Sequence, residues 1–321
     1  MSTVAEARTR GARREVVSRG VFLFCAILVI VLILAIFLFV GSNAFQTFTL
    51  YHKNPLDLLF GSKYSPDQGN VGAFVPIAGT FIVTAVAVVL SAPVAIGIAL
   101  FVSEIAPAWA QRLMQPVLEL LTGIPSIIYG LLGIQLVVPF VARIYNSIAG
   151  FFAFNGFGLV AAAIVLSIMI LPTITTLSID SLRAVPGGVR EASLALGATR
   201  WQTIYKAMIP GASSGIFTGI VLGMGRAIGE TLAVAFVIGG ATSRLPFGWT
   251  NEWPFIKFYP TSTITLQLLH DFGEATNPSL TYSVIWTLSF ILLVIALCFV
   301  LLSRWLQSRS VYQPATARAK R

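Results

Sequence analysis

The chain has 321 residues, of which 56% are hydrophobic and only 10% are charged, and its mean hydropathy is +0.86. Soluble globular domains carry about 25% charged residues, so the composition excludes that class and indicates an integral membrane protein. The net charge of +9 would suit a nucleic-acid partner. The basic residues are instead distributed as membrane topology requires, and we expect no nucleic acid to bind.

Six apolar segments are long enough to cross the hydrocarbon core of a bilayer as α-helices, which takes about 20 residues each. Five of them contain no Asp, Glu, Lys or Arg, and the fifth in chain order contains only Arg226 and Glu230. We therefore predict an all-α fold with six transmembrane helices. They are expected at residues 21–41, 74–102, 120–142, 156–179, 211–243 and 280–303.

The first apolar segment follows five arginines, as the core of a secretory signal peptide would. Its length exceeds the roughly 7–15 residues of such a core and no clear cleavage site follows, so we expect a retained helix. Placing both termini in the cytoplasm puts fifteen Lys and Arg residues inside and five outside, with Arg226 in a span. Basic residues are enriched in cytoplasmic segments, so this asymmetry predicts cytoplasmic termini, with basic tails at 1–20 and 304–321.

The segment between the first two spans, residues 42–73, is rich in turn-forming residues and is predicted to be extracytoplasmic. The later spans form one core at 74–303. Cys25 and Cys298 fall in predicted spans and are expected to be buried, unreactive thiols. His52 and His270 are isolated in outer loops. No cluster has the ligand spacing of a metal site, so we predict that this chain binds no metal and no cofactor of its own.

Between the fourth and fifth spans, the sequence "VREASLALGATRWQTIYKAMIPGA" predicts a hairpin of two amphipathic helices within residues 186–210. A Pro-Gly-Gly turn precedes the first helix, expected at about 189–196, and Gly197 stands where a left-handed residue ends a helix. Thr199 and Gln202 form the T-x-x-Q pattern of a capping box that opens the second helix. Pro210 is expected to end that helix before the fifth span.

The second predicted helix has a single apolar face, because apolar residues recur at i, i+3, i+4 and i+7. They are Trp201, Ile204, Tyr205 and Met208. The first helix presents small residues around Glu191, which permit another surface to approach closely. The hairpin therefore either packs on its own bundle or docks into a separate cytoplasmic protein. Glu119 and Asp180, near the same membrane face, are expected to be solvated, to cap helices, or to brace the hairpin.

Arg226 and Glu230 are four residues apart and are expected on the same face of the fifth helix. A charge at bilayer depth costs at least roughly 2.5–3.5 kcal/mol, so both should face the interior of the bundle. In a structural role the two charges would neutralise each other and fix the helix. In a functional role Arg226 offers a planar donor fork that fits the oxygens of an oxyanion, while Glu230 sets its position and weakens its hold.

Glycine and proline interrupt several of the predicted spans. Two pairs at small-xxx-small spacing, Gly219 with Gly223 and Gly225 with Gly229, would let the fifth helix approach a neighbour closely. Gly123 and Pro125 are expected to break the third span. In lipid such breaks belong where helices face other helices or a cavity.

A nucleotide-binding P-loop requires Gly before its Lys-Ser or Lys-Thr, and none of the five lysines follows a glycine. A nucleophile elbow and a His-Glu-x-x-His helix are also absent from the sequence. We predict no catalytic residues and a conduit whose energy comes from a partner. A passive channel would not need a docking hairpin, and a membrane sensor would not need Arg226 within a span.

The run Glu191-Ala192-Ser193, with Gly197 four residues later and Ile209-Pro210 at its end, resembles the EAA loop of type I ABC-importer permeases. Ser193 replaces the third small residue of the family pattern, and "AMIP" replaces its final quartet. The resemblance implies a MetI-like bundle in which residues 186–210 form cytoplasmic coupling helices that dock into an ATPase. The residues expected to carry this coupling are Glu191, Ala192, Ser193, Gly197, Arg200, Trp201 and Tyr205.

Five blocks narrow the resemblance: "VPIAGTFIVT", "APVAIGIALFVSEIAP", "LTGIPSIIYGLLG", "REASLALGATRWQTI" and "GRAIGETLAV". Together they are similar to permeases of the phosphate-specific transport (Pst) system, most of all to the PstC subunit. This resemblance implies a subunit of an ATP-driven importer of inorganic phosphate in a prokaryotic cell membrane, with Arg226 and Glu230 on the substrate path.

The same resemblance implies a set of partners. They are a PstA-like sister permease, two PstB-like ATPase subunits that bind ATP and Mg, a PstS-like extracytoplasmic phosphate-binding protein, inorganic phosphate and membrane lipid. The alternatives are a PstA-type permease, a permease for another oxyanion such as sulfate or molybdate, and a membrane sensor scaffold.

Overall fold

The computed structural model describes residues 2–149, 154–242, 245, 247–249, 256–276 and 279–308. Within these residues six helices are long and apolar enough to cross a membrane, so the predicted six-span, all-α membrane fold is confirmed. The spanning helices are Ser18–Thr49, Phe74–Ile105, Ser126–Ser147, Leu159–Arg183, Arg200–Ile228 and Leu280–Leu306.

The described residues form thirteen α-helices and two short antiparallel hairpins. The helices are α1 (Ser2–Thr49), α2 (Pro55–Phe60), α3 (Phe74–Leu100), α4 (Ala108–Gly123), α5 (Ser126–Leu132), α6 (Val138–Ala149), α7 (Leu159–Arg183), α8 (Gly187–Ala195), α9 (Arg200–Thr203), α10 (Ile209–Ile228), α11 (Leu232–Ala235), α12 (Ile264–Glu274) and α13 (Leu280–Ser308). Strand β1 (Tyr64–Ser65) pairs with β2 (Asn70–Val71), and β3 (Phe247–Trp249) pairs with β4 (Ile256–Phe258).

Three of the spans contain a π-helical turn. The turns are Phe101–Ile105 after α3, Gly133–Val137 between α5 and α6, and Ile204–Met208 between α9 and α10. A π turn inserts one extra residue into a helix and is found frequently at functional sites. Two of the three, Phe101–Ile105 and Ile204–Met208, lie at the end of the bundle where α7 ends and α9 begins, called here the hairpin end.

Helix α1 continues eight residues beyond the predicted end of the first span, to Thr49. The extension is stable because its polar side chains find partners. Ser42 and Asn43 donate to the Phe39 carbonyl of their own helix. Thr47 is fully buried, and its hydroxyl lies 2.8 Å from that of Thr287 on α13. These contacts account for the continuation of the helix past the predicted end of the span.

The segment after α1 packs tightly on the end of the bundle opposite the hairpin end. Leu58 of α2 and Tyr64 of β1 are buried with Ile264 of α12 and Leu288 of α13. The Tyr64 hydroxyl donates to Asp271, whose other carboxylate oxygen accepts from Gln267 at 2.7 Å. Burial, and secondarily the Asp271 carboxylate, raises the pKa of Tyr64 well above its ordinary value.

Helix α7 is the centre of the bundle. Its alanines 161–163 are fully buried, and α3 and α10 pack along it. Gly219 and Gly223 of α10 allow a close approach, since a Cβ at Gly223 would lie 2.9 Å from Ile174 Cγ1 of α7. Close packing of small residues replaces the hydrophobic effect as the main attraction between helices in lipid.

Cys25 and Cys298 are free thiols, but the prediction that they are buried is wrong, because both are exposed. They lie on α1 and α13, whose apolar outer faces contact few other parts of the chain. An apolar residue in a spanning helix can face lipid as easily as protein, so hydropathy alone does not predict its burial.

The candidate coupling hairpin and membrane arginine

The hairpin between the fourth and fifth spans is built by local signals that the sequence contains. Helix α8 ends at Ala195 with Leu196 as its C-terminal cap, and Gly197 follows with φ of +83°, the left-handed conformation that favours glycine. The capping box is confirmed: Gln202 N donates to Thr199 Oγ1 at 3.3 Å, and Thr199 N donates to Gln202 Oε1 at 2.9 Å. The connection from α8 to α9 is therefore defined at both helix ends.

The prediction that Pro210 ends the second helix is wrong, because α9, the π turn and α10 form one continuous spanning helix, Arg200–Ile228. A proline inside an α-helix removes a hydrogen bond and clashes with the preceding turn. Here the π turn comes first, with Ile209 N donating to Ile204 O, and Pro210 falls in the first turn of α10. The hairpin is thus joined to the fifth span without a hinge loop.

The predicted apolar face of this second helix is divided between two environments. Ile204 and Met208 are buried, and Met208 packs with Val102, Leu182 and other residues of the core at the hairpin end. Trp201 and Tyr205 are 66% and 65% exposed. Exposed aromatic residues of this size are typical of protein-binding surfaces.

Helix α8 contributes further exposed residues next to that aromatic pair. It buries no side chain, and Glu191 and Ala192 are exposed. Leu196, at its C-terminal end, is 89% exposed. Ser193 is half-buried and its hydroxyl lies 3.0 Å from that of Thr203, which ties the two helices of the hairpin together. The predicted coupling residues thus all lie in the hairpin and, apart from the half-buried Ser193, are exposed, with Gly197 as the turn between the two helices.

Sequence reasoning missed Glu104, which braces the hairpin. Its Oε2 lies 2.8 Å from Arg190 Nη2, and its side chain is only 4% exposed. The pair lies in a cleft of about 540 Å³ that Arg200 and Trp201 also line. The signal that could have found Glu104 is a lone carboxylate at the end of an apolar span, where an unpaired buried charge is costly. Glu119 instead accepts from Gln115 of its own helix.

Arg226 lies near the middle of the bundle, half-buried, on α10. Its Nη1 donates to Thr173 Oγ1 of α7 at 3.3 Å. Because the guanidinium uses one of its five donors in this contact, the remaining donors are available to a ligand with several acceptor oxygens.

The expected pairing of Arg226 with Glu230 on one helix face is wrong in this structure. Helix α10 ends at Ile228, with Gly229 as its C-terminal cap, and no ion pair within 4.0 Å joins the two side chains. Glu230 Oε1 instead accepts from Ala233 N at 3.2 Å, at the start of α11. The predicted continuous fifth span 211–243 is broken here because the carboxylate satisfies a backbone N–H of the new helix.

The structure also shows where the other glycines and the proline that were predicted to break or pack helices lie. Gly123 is the last residue of α4, and Pro125 precedes the first residue of α5. Gly229 is at the end of α10. A Cβ at Gly225 would make ordinary contact with Phe299 Cβ at 3.8 Å, so Gly225 is less crowded than Gly223. In the described part of the chain, no three His, Cys, Asp or Glu residues are grouped as a metal site would need.

Residues 92–312 match the family of inner membrane components of binding-protein-dependent transport systems. The chain belongs to this family. It is 39% identical over 297 residues to the probable ABC transporter permease protein YqgH of Bacillus subtilis (strain 168), covering 92% of this chain and 91% of that protein.

Two further relatives are phosphate transport system permease proteins PstC. That of Pasteurella multocida is 33% identical, with 92% of each chain covered, and that of Mesorhizobium japonicum is 35% identical, with 88% and 87% covered. A solved structure of the MetNI methionine ABC transporter in an inward-facing conformation aligns with 76% of this chain and 99% of its own, at 17% identity and a TM-score of 0.49.

The chain is therefore a multi-pass permease subunit of an ABC transporter and resembles PstC. In this family the membrane component is not itself the enzyme, and ATP hydrolysis belongs to a separate subunit. Membership also implies an ATPase partner and a substrate-binding protein.

Proposed function

We propose that this permease forms, with a PstA-like sister subunit, the membrane path of an ATP-driven importer of inorganic phosphate. The observation that carries the proposal is likeness to PstC permeases over about nine-tenths of both chains. The half-buried guanidinium of Arg226 within the bundle supports it. Phosphate is a tetrahedral oxyanion, and a planar guanidinium binds two of its oxygens at once.

Arg226 is the proposed phosphate contact on the path. Thr173, already bonded to Arg226, adds a hydroxyl that can donate to a passing oxyanion. Glu230 stands beyond the end of α10, where it can lower the affinity of the path for an anion without neutralising Arg226. A transport path has to release what it binds, so a moderate affinity serves the function better than a tight one.

The proposed assembly contains two PstB-like ATPase subunits, which bind ATP and Mg, and a PstS-like extracytoplasmic binding protein that selects phosphate. The hairpin lies on the cytoplasmic side, together with both chain termini, as the fifteen-to-five distribution of basic residues favours. Trp201, Tyr205 and Leu196 form the surface that enters the ATPase. This permease is proposed to bind no cofactor of its own.

Closure of the ATPase pair on ATP moves the hairpin, and the continuous helix Arg200–Ile228 carries that displacement to Arg226. The bundle then opens outward to accept phosphate from the loaded binding protein. Reopening of the ATPase pair after hydrolysis returns the hairpin and opens the path inward. A switch between two states requires a contact that differs between them. Here that contact is the one between the ATPase and the hairpin.

The test is reconstitution of the permease in lipid with the sister permease, the ATPase and the binding protein. ATP turnover and uptake of labelled phosphate are measured with binding protein loaded with phosphate, and in parallel with sulfate. Stimulation and uptake with phosphate alone are expected. Equal or greater stimulation by a sulfate-loaded binding protein would assign the permease to another oxyanion, and uptake that does not require the ATPase would assign it to passive channels.

A further inference from the structure

We propose that Glu104 is a positioning residue that couples the second span, Phe74–Ile105, to the hairpin through its ion pair with Arg190. The proposal rests on the proposed function in one respect only, that an ATPase moves the hairpin. It adds a second mechanical connection to the one that runs through the fifth span.

The first step in the argument is how little else holds α8 in place. Helix α8 buries no side chain, and Val189 is only half-buried against the core at the hairpin end. The hydroxyl contact between Ser193 and Thr203 joins α8 to the other half of the same hairpin. Among the described residues, the contact of Arg190 with Glu104 is the one ion pair that joins α8 to a spanning helix.

The second step is the direction in which each connection acts. The fifth span receives motion directly, because α9 and α10 belong to one helix. The second span begins at Phe74, at the end of the bundle opposite the hairpin end, and is not continuous with the hairpin. It packs against α7 through Val83 and Ala87. A displacement of α8 therefore reaches the second span at Glu104, and the second span passes it to the centre of the bundle.

The third step is the difference in burial between the two side chains of the ion pair. Glu104 is 4% exposed, whereas Arg190 is 44% exposed. Glu104 Oε2 lies 2.8 Å from Arg190 Nη2, so the two charges attract each other directly. A buried carboxylate that loses the cation paired with it is strongly unfavourable. When the hairpin moves, the second span is consequently held to follow it.

The π turn Phe101–Ile105 gives this contact its geometry. Ala106 N donates to Phe101 O across the turn, and Glu104 lies within it. The extra residue changes the angular position of the side chains that follow in the turn. Glu104 thereby reaches the hairpin while Val102, two residues earlier, remains buried in the core at the hairpin end.

The experiment uses the complete reconstituted transporter in lipid and measures phosphate uptake per ATP hydrolysed. The variants are Glu104→Gln, which keeps the shape of the side chain, and Arg190→Ala. Each is expected to lower uptake per ATP about tenfold, the size of effect seen for residues that carry coupling between distant sites. ATP turnover should change less than about threefold. The matched control is Glu119→Gln, the same substitution at a carboxylate that is exposed and bonded within its own helix.

A charge exchange separates a specific ion pair from a general loss of structure. Glu104→Lys and Arg190→Glu each place like charges together and should uncouple uptake from ATP turnover. The double variant restores opposite charges and should recover most of the lost coupling.

Each other outcome overturns the proposal. A double variant no better than the single ones would mean that the pair does not carry the coupling. A proportional fall of ATP turnover and uptake, or failure of the complex to assemble with Glu104→Gln, would give Glu104 a purely structural role. Absence of phosphate uptake by the wild-type complex would instead count against the proposed function, and the two failures are therefore distinguishable.

Discussion

Arg226 and Glu230 are four residues apart in the sequence, yet a helix end separates them. The guanidinium of Arg226 bonds to Thr173 of α7, and the carboxylate of Glu230 bonds to the backbone N–H of Ala233. The arginine is therefore positioned by a hydroxyl, and no ion pair with Glu230 cancels its charge. This arrangement suits a residue that has to attract an anion for part of a cycle.

Replacing Arg226 with alanine is expected to abolish phosphate uptake while the complex still assembles, because the side chain makes one hydrogen bond to the bundle. Arg226→Lys should retain partial uptake, since an ammonium keeps the charge and loses the planar fork. Uptake of labelled phosphate and recovery of the assembled complex are measured together. Thr173→Val is the companion variant and should weaken uptake less. Normal uptake by Arg226→Ala would remove this residue from the path.

Substitution of Trp201 or Tyr205 with alanine should weaken binding of the ATPase without destabilising the bundle, since both side chains are about two-thirds exposed. Aromatic residues at the centre of an interface commonly contribute 2 kcal/mol or more, which is about a thirtyfold change in affinity. Met208→Ala is the control from the same helix. Its side chain is 4% exposed, so it should lower the thermal stability of the permease itself. Unchanged ATPase affinity in the two aromatic variants would contradict the docking surface.

The capping box predicts an effect confined to the hairpin. Thr199→Ala removes the acceptor for Gln202 N, which costs about 1 kcal/mol of local helix stability. Hydrogen exchange should become faster in residues 199–205 and remain unchanged in the middle of α10. Thr122→Ala, where the hydroxyl bonds only within its own helix, should leave exchange in the hairpin as it is. Faster exchange throughout the fifth span would mean that the cap supports the whole helix.

Two glycines of α3 provide a matched test of close packing. A Cβ at Gly79 would lie 2.2 Å from the backbone oxygen of Ser262, whereas a Cβ at Gly97 would have nothing within 4 Å. Alanine is the better helix former by about 1 kcal/mol, so Gly97→Ala should be neutral or stabilising. Gly79→Ala should destabilise by about 1–3 kcal/mol through overpacking. Thermal unfolding of the two variants in detergent measures the difference, and equal midpoints would refute this contact.

The buried Tyr64 predicts a loss of stability at high pH. Burial raises the pKa of Tyr64 above its unfolded value of 10.0, so the folded protein holds the phenolic proton more tightly than the unfolded chain does. The stabilisation is complete below pH 10 and is lost as the pH rises above it. Unfolding measured between pH 8 and pH 11 should show this decline in the wild type and a shallower one in Tyr64→Phe. The variant should also be less stable near neutral pH, since Asp271 loses a donor.

The spans and the turn and cap between the two hairpin helices could be predicted, because they depend on local features of the sequence. A run without charges gives a spanning helix, Gly197 gives a left-handed turn, and Thr199 with Gln202 gives a cap. The end of the fifth helix at Ile228 could not be predicted, because hydropathy continues across it and the break depends on where Glu230 finds a donor. The continuity of the fifth spanning helix through Pro210 could not be predicted, because residue types do not indicate where a π turn forms.

The contacts of the site that join distant segments of the chain could not be predicted from the sequence either. Glu104 and Arg190 are 86 positions apart, from the difference of their residue numbers, and meet only because the second span ends beside α8. Tyr64 and Asp271 are joined in the same way from a strand and a helix far apart in the chain. Such contacts are set by how helices pack, which single-sequence periodicity does not encode. The exposure of Trp201 beside the buried Met208 has the same origin.

The uninterrupted helix of 29 residues from Arg200 to Ile228 can move as one rigid body. At about 1.5 Å per residue, Trp201 and Arg226 are roughly 38 Å apart along its axis. A tilt of about 10° around the midpoint between them would move the two ends in opposite directions by about 3 Å each. A modest stroke at the aromatic end thus displaces the guanidinium by a similar distance, with no bending of the helix between them.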